Sequence, residues 1–283
     1  MAENISIWYK GIEYGSLGEI KAPEVGKYTD RLVRRLFHTA EDYREIIIRN
    51  MDGMDFVSYS KKTLVPAKKT FDLSFALACV MEDRLRSGPC HVLEIGTGTG
   101  VFPITLRALI SDPNLIITAT DISGDALTVA DLNIQLNGLC PNSIRLIKKD
   151  GLANTHGLPC LPDIVFSNPP FSPTNRINFV NAGGVHPVLA LDGGGDGTYY
   201  YERFLFESRR ILKHKGSIIF QLPLGADDIQ RTMRLIACRT DDRAIALEDC
   251  MSRYRKVGPQ FVVIGNNNLP ELLSRHGYTT TEI

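Results

Sequence analysis

The segment Val-Leu-Glu-Ile-Gly-Thr-Gly-Thr-Gly, residues 92–100, constrains the fold of this 283-residue chain more than any other. An apolar strand is predicted over 91–95, which leads into the glycines, and a helix is predicted over 103–110. Glycines permit backbone conformations that a Cβ forbids and let the main chain approach a ligand closely. A strand, a glycine turn and a helix in this order are typical of a ligand-binding turn in an α/β fold.

The spacing of the glycines distinguishes between classes of cofactor. A dinucleotide-binding turn has the pattern G-x-G-x-x-G. Here the glycines are Gly96, Gly98 and Gly100, and Val101 stands where the third glycine of that pattern is required. The spacing therefore disfavours an NAD-dependent dehydrogenase.

Strands and helices alternate through most of the chain that follows the glycine turn. Further strands are predicted over 115–120, 144–148, 164–167 and 217–222, and further helices over 70–86, 124–137 and 198–213. This alternation predicts an α/β fold with a mostly parallel sheet and helices on both faces. Segments 244–247 and 261–264 lack a full helix between them, and we expect them to pair as a hairpin at the sheet edge.

The beginning of the chain has a different pattern. Residues 1–55 are predicted to form a small N-terminal extension that recognises a substrate or partner, followed by the main domain over 56–283. One or two helices are predicted over 28–50, where apolar residues recur at helical spacing. Short strands are predicted over 5–9, 55–59 and 63–65.

Two aspartates end the second and third predicted strands of the main domain. Asp121, in Thr-Ala-Thr-Asp-Ile-Ser, is placed to accept hydrogen bonds from both hydroxyls of a ribose, although a helix N-cap is the other role open to it. Asp150, in Leu-Ile-Lys-Lys-Asp-Gly, is placed to accept an adenine amino group, and a plain turn aspartate is the alternative.

The tetrapeptide Asn168-Pro169-Pro170-Phe171 follows the fourth predicted strand and is the most specific signal in the chain. Consecutive prolines fix the backbone and remove two N–H donors, which leaves an asparagine side chain beside rigid carbonyls. The Asn168 side chain and the Pro169 carbonyl can each accept one N–H of an amide or amino group, and Phe171 can stack on a planar group. This pattern predicts a site that holds a planar NH2 group, with Asn168, Pro169, Pro170 and Phe171 as the catalytic residues.

With these motifs in order, the chain resembles the HemK/PrmC-like N-methyltransferases of class I. The segments 63–70 and 189–197 resemble that family too, so that the resemblance covers roughly residues 56–265. It implies a Rossmann-like, seven-stranded sheet, S-adenosyl-L-methionine as cofactor with S-adenosyl-L-homocysteine as product, and a glutamine amide, usually in a protein, as methyl acceptor. The cofactor-binding residues that it implies, together with the two aspartates, are Glu94, Gly96, Thr97, Gly98, Gly100, Asp121, Ile122, Asp150 and Asn168.

The acceptor is the least constrained part of this hypothesis. Phe171 stands where the glutamine methyltransferases commonly have tyrosine, and phenylalanine there also occurs in related enzymes that methylate exocyclic amines of RNA bases. A local group of lysines near the expected cofactor mouth forms either a solvated face or an RNA-contacting patch. Its members are Lys61, Lys62, Lys68 and Lys69. The acceptor alternatives are therefore a protein amide, an exocyclic amine of RNA or DNA, and a nitrogen of a small metabolite.

The composition of the chain bears on several other classes of protein. The 32 Lys and Arg residues balance the 32 Asp and Glu residues, so charge does not favour non-specific nucleic-acid binding. The six cysteines form no C-x-x-C pair and the histidines have no ligand-like spacing, so we expect no metal site. No run of 18 apolar residues predicts a membrane span, and the first ten residues lack the apolar core of a secretory signal, so we expect a cytoplasmic protein.

Overall fold

Two β-sheets and five α-helices organise the residues that the computed structural model describes, which are 6–9, 12–16, 45–59, 61–66, 68–151, 156–214, 216–222, 232, 234, 244–247, 261–265 and 280–282. In chain order the strands are β1 Ser6–Tyr9, β2 Ile12–Ser16, β3 Glu45–Met51, β4 Met54–Tyr59, β5 Cys90–Ile95, β6 Leu115–Asp121, β7 Arg145–Lys148, β8 Ile164–Ser167, β9 Ser217–Gln221, β10 Ala244–Leu247, β11 Phe261–Gly265 and β12 Thr280–Glu282. The α-helices are α1 Lys68–Leu85, α2 Val101–Leu109, α3 Gly124–Leu136, α4 Ile177–Val180 and α5 Tyr199–Ile211.

The larger sheet is mostly parallel. Its strand order is β12-β10-β11-β9-β8-β5-β6-β7, and the five strands from β9 to β7 in that order run parallel. β11, β10 and β12 pair antiparallel at the other edge. The carboxyl ends of β5, β6, β7 and β8 therefore meet at one edge of the sheet, which is where α/β folds bind ligands.

The sheet is covered on both faces. Every residue of β8 and β9 is buried, as expected for strands with helices on both sides. Phe166 of β8 stacks on Phe102 of α2, with ring centroids 4.0 Å apart, in the core on one face. Its neighbour Val165 belongs to the core on the opposite face, together with Tyr201 and Phe220. The alternation along β8 thus fixes α2 and α5 on opposite faces of the sheet.

The helices and strands predicted from residue 70 onward are confirmed, with ends within two residues of those predicted. The antiparallel pairing of β10 with β11 is confirmed as well. The larger sheet differs from the expectation in having eight described strands rather than seven, because the three-residue β12 pairs with the outer side of β10. Among the described residues, no helix is both long enough and apolar enough to span a membrane.

The smaller sheet, in the order β2-β1-β3-β4, corrects two predictions. Residues 45–50 were expected in a helix but belong to β3, whose three consecutive isoleucines are β-branched and pair with β4. Residues 28–44 of that predicted helix lie outside the described residues. No strand forms over 63–65, because the Thr63 hydroxyl accepts the Tyr59 N–H at 3.0 Å in a turn. The predicted boundary after residue 55 falls inside β4, and the division into two domains stays a prediction.

Candidate active site

A cavity of about 340 Å³ opens at the edge where β5, β6, β7 and β8 end. Ten residues that the sequence singled out line it. They are Glu94, Gly96, Thr97, Gly98, Asp121, Ile122, Asp150, Asn168, Pro169 and Pro170. Gly100 and Phe171 do not line this cavity. The structure therefore brings the expected cofactor residues and most of the expected catalytic residues to one site.

The three glycines of the turn after β5 have different surroundings. All three have positive φ, between 55° and 80°, which L side chains rarely adopt. A Cβ on Gly96 or Gly98 would meet nothing within 4 Å, so these two leave open space at the cavity wall. A Cβ on Gly100 would lie 2.8 Å from Ile104 Cδ1 and 3.2 Å from Ala130 Cβ. Gly100 therefore permits the close packing of α2 against α3.

Asp121 is fixed at the end of β6 by two loops. Its Oδ2 accepts the Gly98 N–H at 2.8 Å, and its Oδ1 accepts the Ser123 N–H at 2.9 Å. Burial raises the pKa of its carboxyl, and the backbone hydrogen bonds oppose that shift. Ser123, whose hydroxyl accepts the Ala126 N–H, caps α3, so the N-cap alternative for Asp121 does not hold. Asp121 is thus a rigid acceptor beside the glycine turn.

Glu94 lies beneath the glycine turn and is 2% exposed. Its Oε2 accepts a hydrogen bond from the Thr97 hydroxyl. Burial raises the pKa of its carboxyl to about 8, and the nearby Asp121 carboxylate raises it further, against the opposing effect of Thr97. Two carboxyl groups therefore line one cavity, and a bound cationic group would favour the ionised form of Glu94 and lower its pKa.

Asn168, at the end of β8, holds a buried acceptor without a partner. Its side-chain Oδ1 has no hydrogen bond, although the atom is removed from water. Such atoms are rare in folded proteins and call for an explanation, of which an awaited ligand N–H is one. The preceding Ser167 hydroxyl donates to the Ile95 carbonyl at 2.9 Å, which ties this strand end to the glycine turn. This unused amide oxygen therefore belongs to a residue that lines the cavity.

Phe171 packs in the core of the face that α5 covers rather than along the cavity. A glycine-rich segment holds its backbone closely. A Cβ on Gly197 would lie 2.4 Å from the Phe171 carbonyl oxygen, and a Cβ on Gly193 would lie 2.8 Å from the Phe171 Cα. The Gly193 N–H also donates to the Ser172 carbonyl at 2.7 Å. Through these contacts, segment 189–197 packs closely against the Asn-Pro-Pro-Phe loop and holds its backbone in place. Stacking of Phe171 on a substrate stays a prediction.

Four cavity residues on α5 were missed from the sequence. They lie on one face of the helix, as their spacing requires, and are Tyr200, Arg203, Phe204 and Glu207. This helical spacing was the feature of the sequence that could have identified them. The neighbouring Tyr201 packs in the core: it is fully buried and donates its hydroxyl to the Gln221 carbonyl at 2.8 Å. Tyr200 instead faces the site.

The predicted lysine group is only partly described. Lys61 and Lys62 line the cavity, and Lys62 forms an ion pair with Asp125 at 3.0 Å. The side chains of Lys68 and Lys69 lie outside the described part of the chain. An ion-paired Lys62 is less available to a polyanion, so the RNA-contacting interpretation gains no support from it.

Comparison with known proteins indicates similarity to methyltransferases. Residues 67–182 match the family model Methyltransferase small domain. The release factor glutamine methyltransferase of Bacillus cereus is 28% identical over 183 residues, which are 62% of this chain and 61% of that protein. The release factor glutamine methyltransferase of Moorella thermoacetica is 35% identical over 182 residues, which are 63% of this chain and 59% of that protein.

Residues 67–182 therefore carry a methyltransferase domain, and the chain is similar to glutamine methyltransferases of the HemK/PrmC-like kind. The chain covers less than two thirds of the length of both relatives. A crystal structure of the hMettl16 catalytic domain in complex with MAT2A 3'UTR hairpin 1 matches with a TM-score of 0.52 and 13% identity, over 83% of this chain and 79% of that one. At this identity the match shows a shared methyltransferase-domain fold.

The cavity fits S-adenosylmethionine, the cofactor of class I methyltransferases. The methyltransferase domain supplies buried carboxyl groups, Glu94 and Asp121, for a ligand that carries a sulfonium, an ammonium and a ribose. Gly96 and Gly98 leave the adjoining wall free of side chains. Asp150, which follows β7, and Asn168, which follows β8, line the same cavity. The carboxyl groups and the open wall of the cavity therefore match the cationic groups and the ribose of the cofactor.

Replacement of Asp121 by alanine is expected to weaken binding of S-adenosylhomocysteine at least tenfold. The variant loses a charge-assisted acceptor, for which a loss of about 1.4 kcal/mol is expected. Titration calorimetry measures the affinity, and Asp131→Ala on α3, outside the cavity lining, is the matched control. An unchanged affinity for the Asp121 variant would remove this residue from the cofactor site.

The raised pKa of Glu94 predicts a particular pH dependence of stability. The folded protein holds the Glu94 proton up to about pH 8, whereas the unfolded chain releases it near the ordinary value of 4.5. Between these values the folded state binds more protons, so this residue makes the free energy of unfolding fall as pH rises. Glu94→Gln is expected to flatten that slope between pH 5 and 8 in urea titrations. Glu202→Gln, an exposed control on α5, should keep the parent slope, and equal slopes for both variants would refute the assignment.

Proposed function

We propose that this protein is an S-adenosylmethionine-dependent N-methyltransferase that methylates a side-chain amide nitrogen, of the glutamine type, in a protein. The buried Asn168 Oδ1 without a hydrogen-bond partner carries this proposal. An unpaired buried acceptor costs free energy that a bound N–H group would recover. The position of Asn168 among the residues that line the cavity, after β8 and beside Pro169, supports a ligand NH2 group next to the cofactor.

The proposed mechanism assigns positioning and charge stabilisation to the Asn-Pro-Pro loop. S-adenosylmethionine, when bound, supplies an electrophilic methyl group. Asn168 Oδ1 accepts one N–H of the acceptor amide, and the Pro169 carbonyl accepts the other, so the nitrogen is aligned for attack. Both oxygens stabilise the positive charge that the nitrogen gains. As the bond from nitrogen to the methyl carbon forms, the carbon–sulfur bond would break and S-adenosylhomocysteine would be the leaving group. The nitrogen would then lose its proton to water, so no strong general base is required.

The identity of the acceptor rests on the relatives. Two of the matched proteins are named release factor glutamine methyltransferase, which supports a protein amide for this chain. We assign acceptor recognition to residues 1–55 and catalysis to residues 56–283. The four-stranded sheet extends across this boundary, because β4 belongs to it.

The test is transfer of label from methyl-labelled S-adenosylmethionine into a cell extract that is then separated into protein, nucleic-acid and small-molecule fractions. Label in a discrete protein band, released by complete enzymatic proteolysis as N-methylglutamine, is the expected result. Label confined to nucleic acid or to small molecules would refute the proposed acceptor and retain the cofactor. No transfer to any fraction, together with no binding of S-adenosylhomocysteine, would refute the enzymatic function itself.

A further inference from the structure

A cluster of charged side chains bridges β7 and α5 over one end of the cavity. Arg203 Nη1 lies 2.8 Å from Asp150 Oδ1, and Arg203 Nε donates to Glu207 Oε1 at 2.7 Å. Arg203 Nη2 also approaches the Asp150 backbone carbonyl at 3.4 Å. All three residues line the cavity. The guanidinium is thus held from α5 by Glu207 and reaches both the side chain and the main chain of Asp150.

Gly151 makes this bridge possible. Its φ is +58°, and a Cβ at this position would lie 2.4 Å from Glu207 Oε2 and 2.7 Å from Arg203 Nη2. Any side chain here would displace the ion pair rather than pack beside it. The absence of a side chain at Gly151 therefore leaves the space that the Arg203 and Glu207 side chains occupy.

Asp150 needs such support to act as a fixed acceptor. Its side chain is 58% exposed, whereas the Arg203 side chain is 26% exposed and the Glu207 side chain is 13% exposed. An exposed aspartate without a partner rotates freely, and ordering it on ligand binding costs entropy. The hydrogen bond from Arg203 to Glu207 and the pair with Asp150 raise the pKa of the guanidinium, so the cation persists at every relevant pH.

We propose that Arg203 is a positioning residue that holds the Asp150 carboxylate in place and thereby selects a 6-amino purine, the adenine of the cofactor. Asp150 Oδ1 is engaged by Arg203, and Oδ2 is assigned to the amino group. A carboxylate accepts hydrogen bonds but donates none, so it favours a 6-amino group over a 6-oxo group. This inference rests on the proposed function, because it takes S-adenosylmethionine as the ligand.

The test compares two product analogues, S-adenosylhomocysteine and S-inosylhomocysteine, which differ in the 6-substituent of the purine. Titration calorimetry on the full chain gives the ratio of the two affinities. We expect the parent protein to prefer the adenine compound by at least about tenfold, since buried or fixed polar groups discriminate strongly against a ligand that leaves them unpaired. Arg203→Met and Asp150→Asn should each reduce the ratio to about twofold or less, and the double variant should reduce it no further.

Two further variants separate positioning from folding. Arg203→Lys keeps a cation but cannot contact Glu207 and Asp150 together, and it should show the same reduced ratio. Arg210→Met removes an exposed cation on α5, one that lies over Phe206, and should leave the ratio unchanged. A variant that loses stability for structural reasons weakens both analogues alike and preserves the ratio. An unchanged ratio in Arg203→Met and Arg203→Lys overturns the inference, whereas failure of the parent protein to bind either analogue overturns the proposed function instead.

Discussion

Asn168→Ala is expected to lower the rate of methyl transfer by about 10²–10³-fold or more while leaving the affinity for S-adenosylhomocysteine within about twofold of the parent value. The substitution removes Oδ1, the buried acceptor without a partner in a residue that lines the cavity. Without it the acceptor nitrogen loses one of its two proposed contacts and the stabilisation of the charge it gains. The contacts of the cofactor turn, such as the Gly98 N–H to Asp121, are independent of this side chain.

Single-turnover transfer of labelled methyl groups and calorimetry with S-adenosylhomocysteine measure the two quantities separately. Asn178→Ala is the matched control, because Asn178 is an exposed asparagine on α4, in the chain that follows the Asn-Pro-Pro-Phe loop. It should transfer at the parent rate. Normal turnover by Asn168→Ala would exclude the proposed role of Asn168, and an equal loss of rate and of cofactor affinity would make it a cofactor residue instead.

The parts of the fold that sequence reasoning predicted well are those specified by local signals. Several strands are short runs of apolar residues between turns, and such runs can be recognised directly in the sequence. These strands are β5, β6, β8 and β9. The glycine turn was recognisable because its conformation requires glycine at Gly96 and Gly98. Both signals lie within a dozen residues, so neither depends on how distant segments pack.

The parts that were missed depend on contacts between distant segments. The spacing of apolar residues over 28–50 predicted helix, but the last part of that range, 45–50, contains three consecutive isoleucines that pair with β4 as a strand. Arg203 is an ordinary helix residue until α5 is placed beside the end of β7, 53 positions earlier in the chain. The space at Gly151 for its guanidinium is likewise a property of the packed structure. Site residues of this kind become visible only when the tertiary arrangement is known.

Asn133 is a further residue of this kind, and it connects the smaller sheet to the cofactor turn. It is fully buried on α3. Its Oδ1 accepts the Val57 N–H of β4 at 2.8 Å, and its Nδ2 donates to the Val57 carbonyl at 2.9 Å and to the Thr99 carbonyl at 2.8 Å. Thr99 lies in the glycine turn, so one amide side chain satisfies backbone groups of two separate segments.

Asn133→Leu is therefore expected to lower the free energy of unfolding by about 3–4 kcal/mol and to weaken binding of S-adenosylhomocysteine. The similar size of leucine keeps the volume filled, but three buried backbone groups lose their partners, each at a cost of about 1–3 kcal/mol before relaxation. Urea titration and calorimetry give the two quantities. Such a loss is a large share of the stability of a typical domain, about 5–15 kcal/mol, so the measurement is best made at low temperature.

Asn137→Leu provides a graded control for that measurement, because it repeats the substitution one helical turn away. Asn137 exchanges hydrogen bonds with the Asp55 backbone at 3.1 and 2.8 Å but is only partly buried, and it makes no contact with Thr99. Water can replace its lost bonds, so a decrease of about 1 kcal/mol with unchanged cofactor affinity is expected. Equal effects of the two variants on stability, or no effect of Asn133→Leu on cofactor affinity, would show that the glycine turn does not depend on this link. A selective loss of affinity in Asn133→Leu would instead establish that β4 and the cofactor turn are held in register through one buried amide.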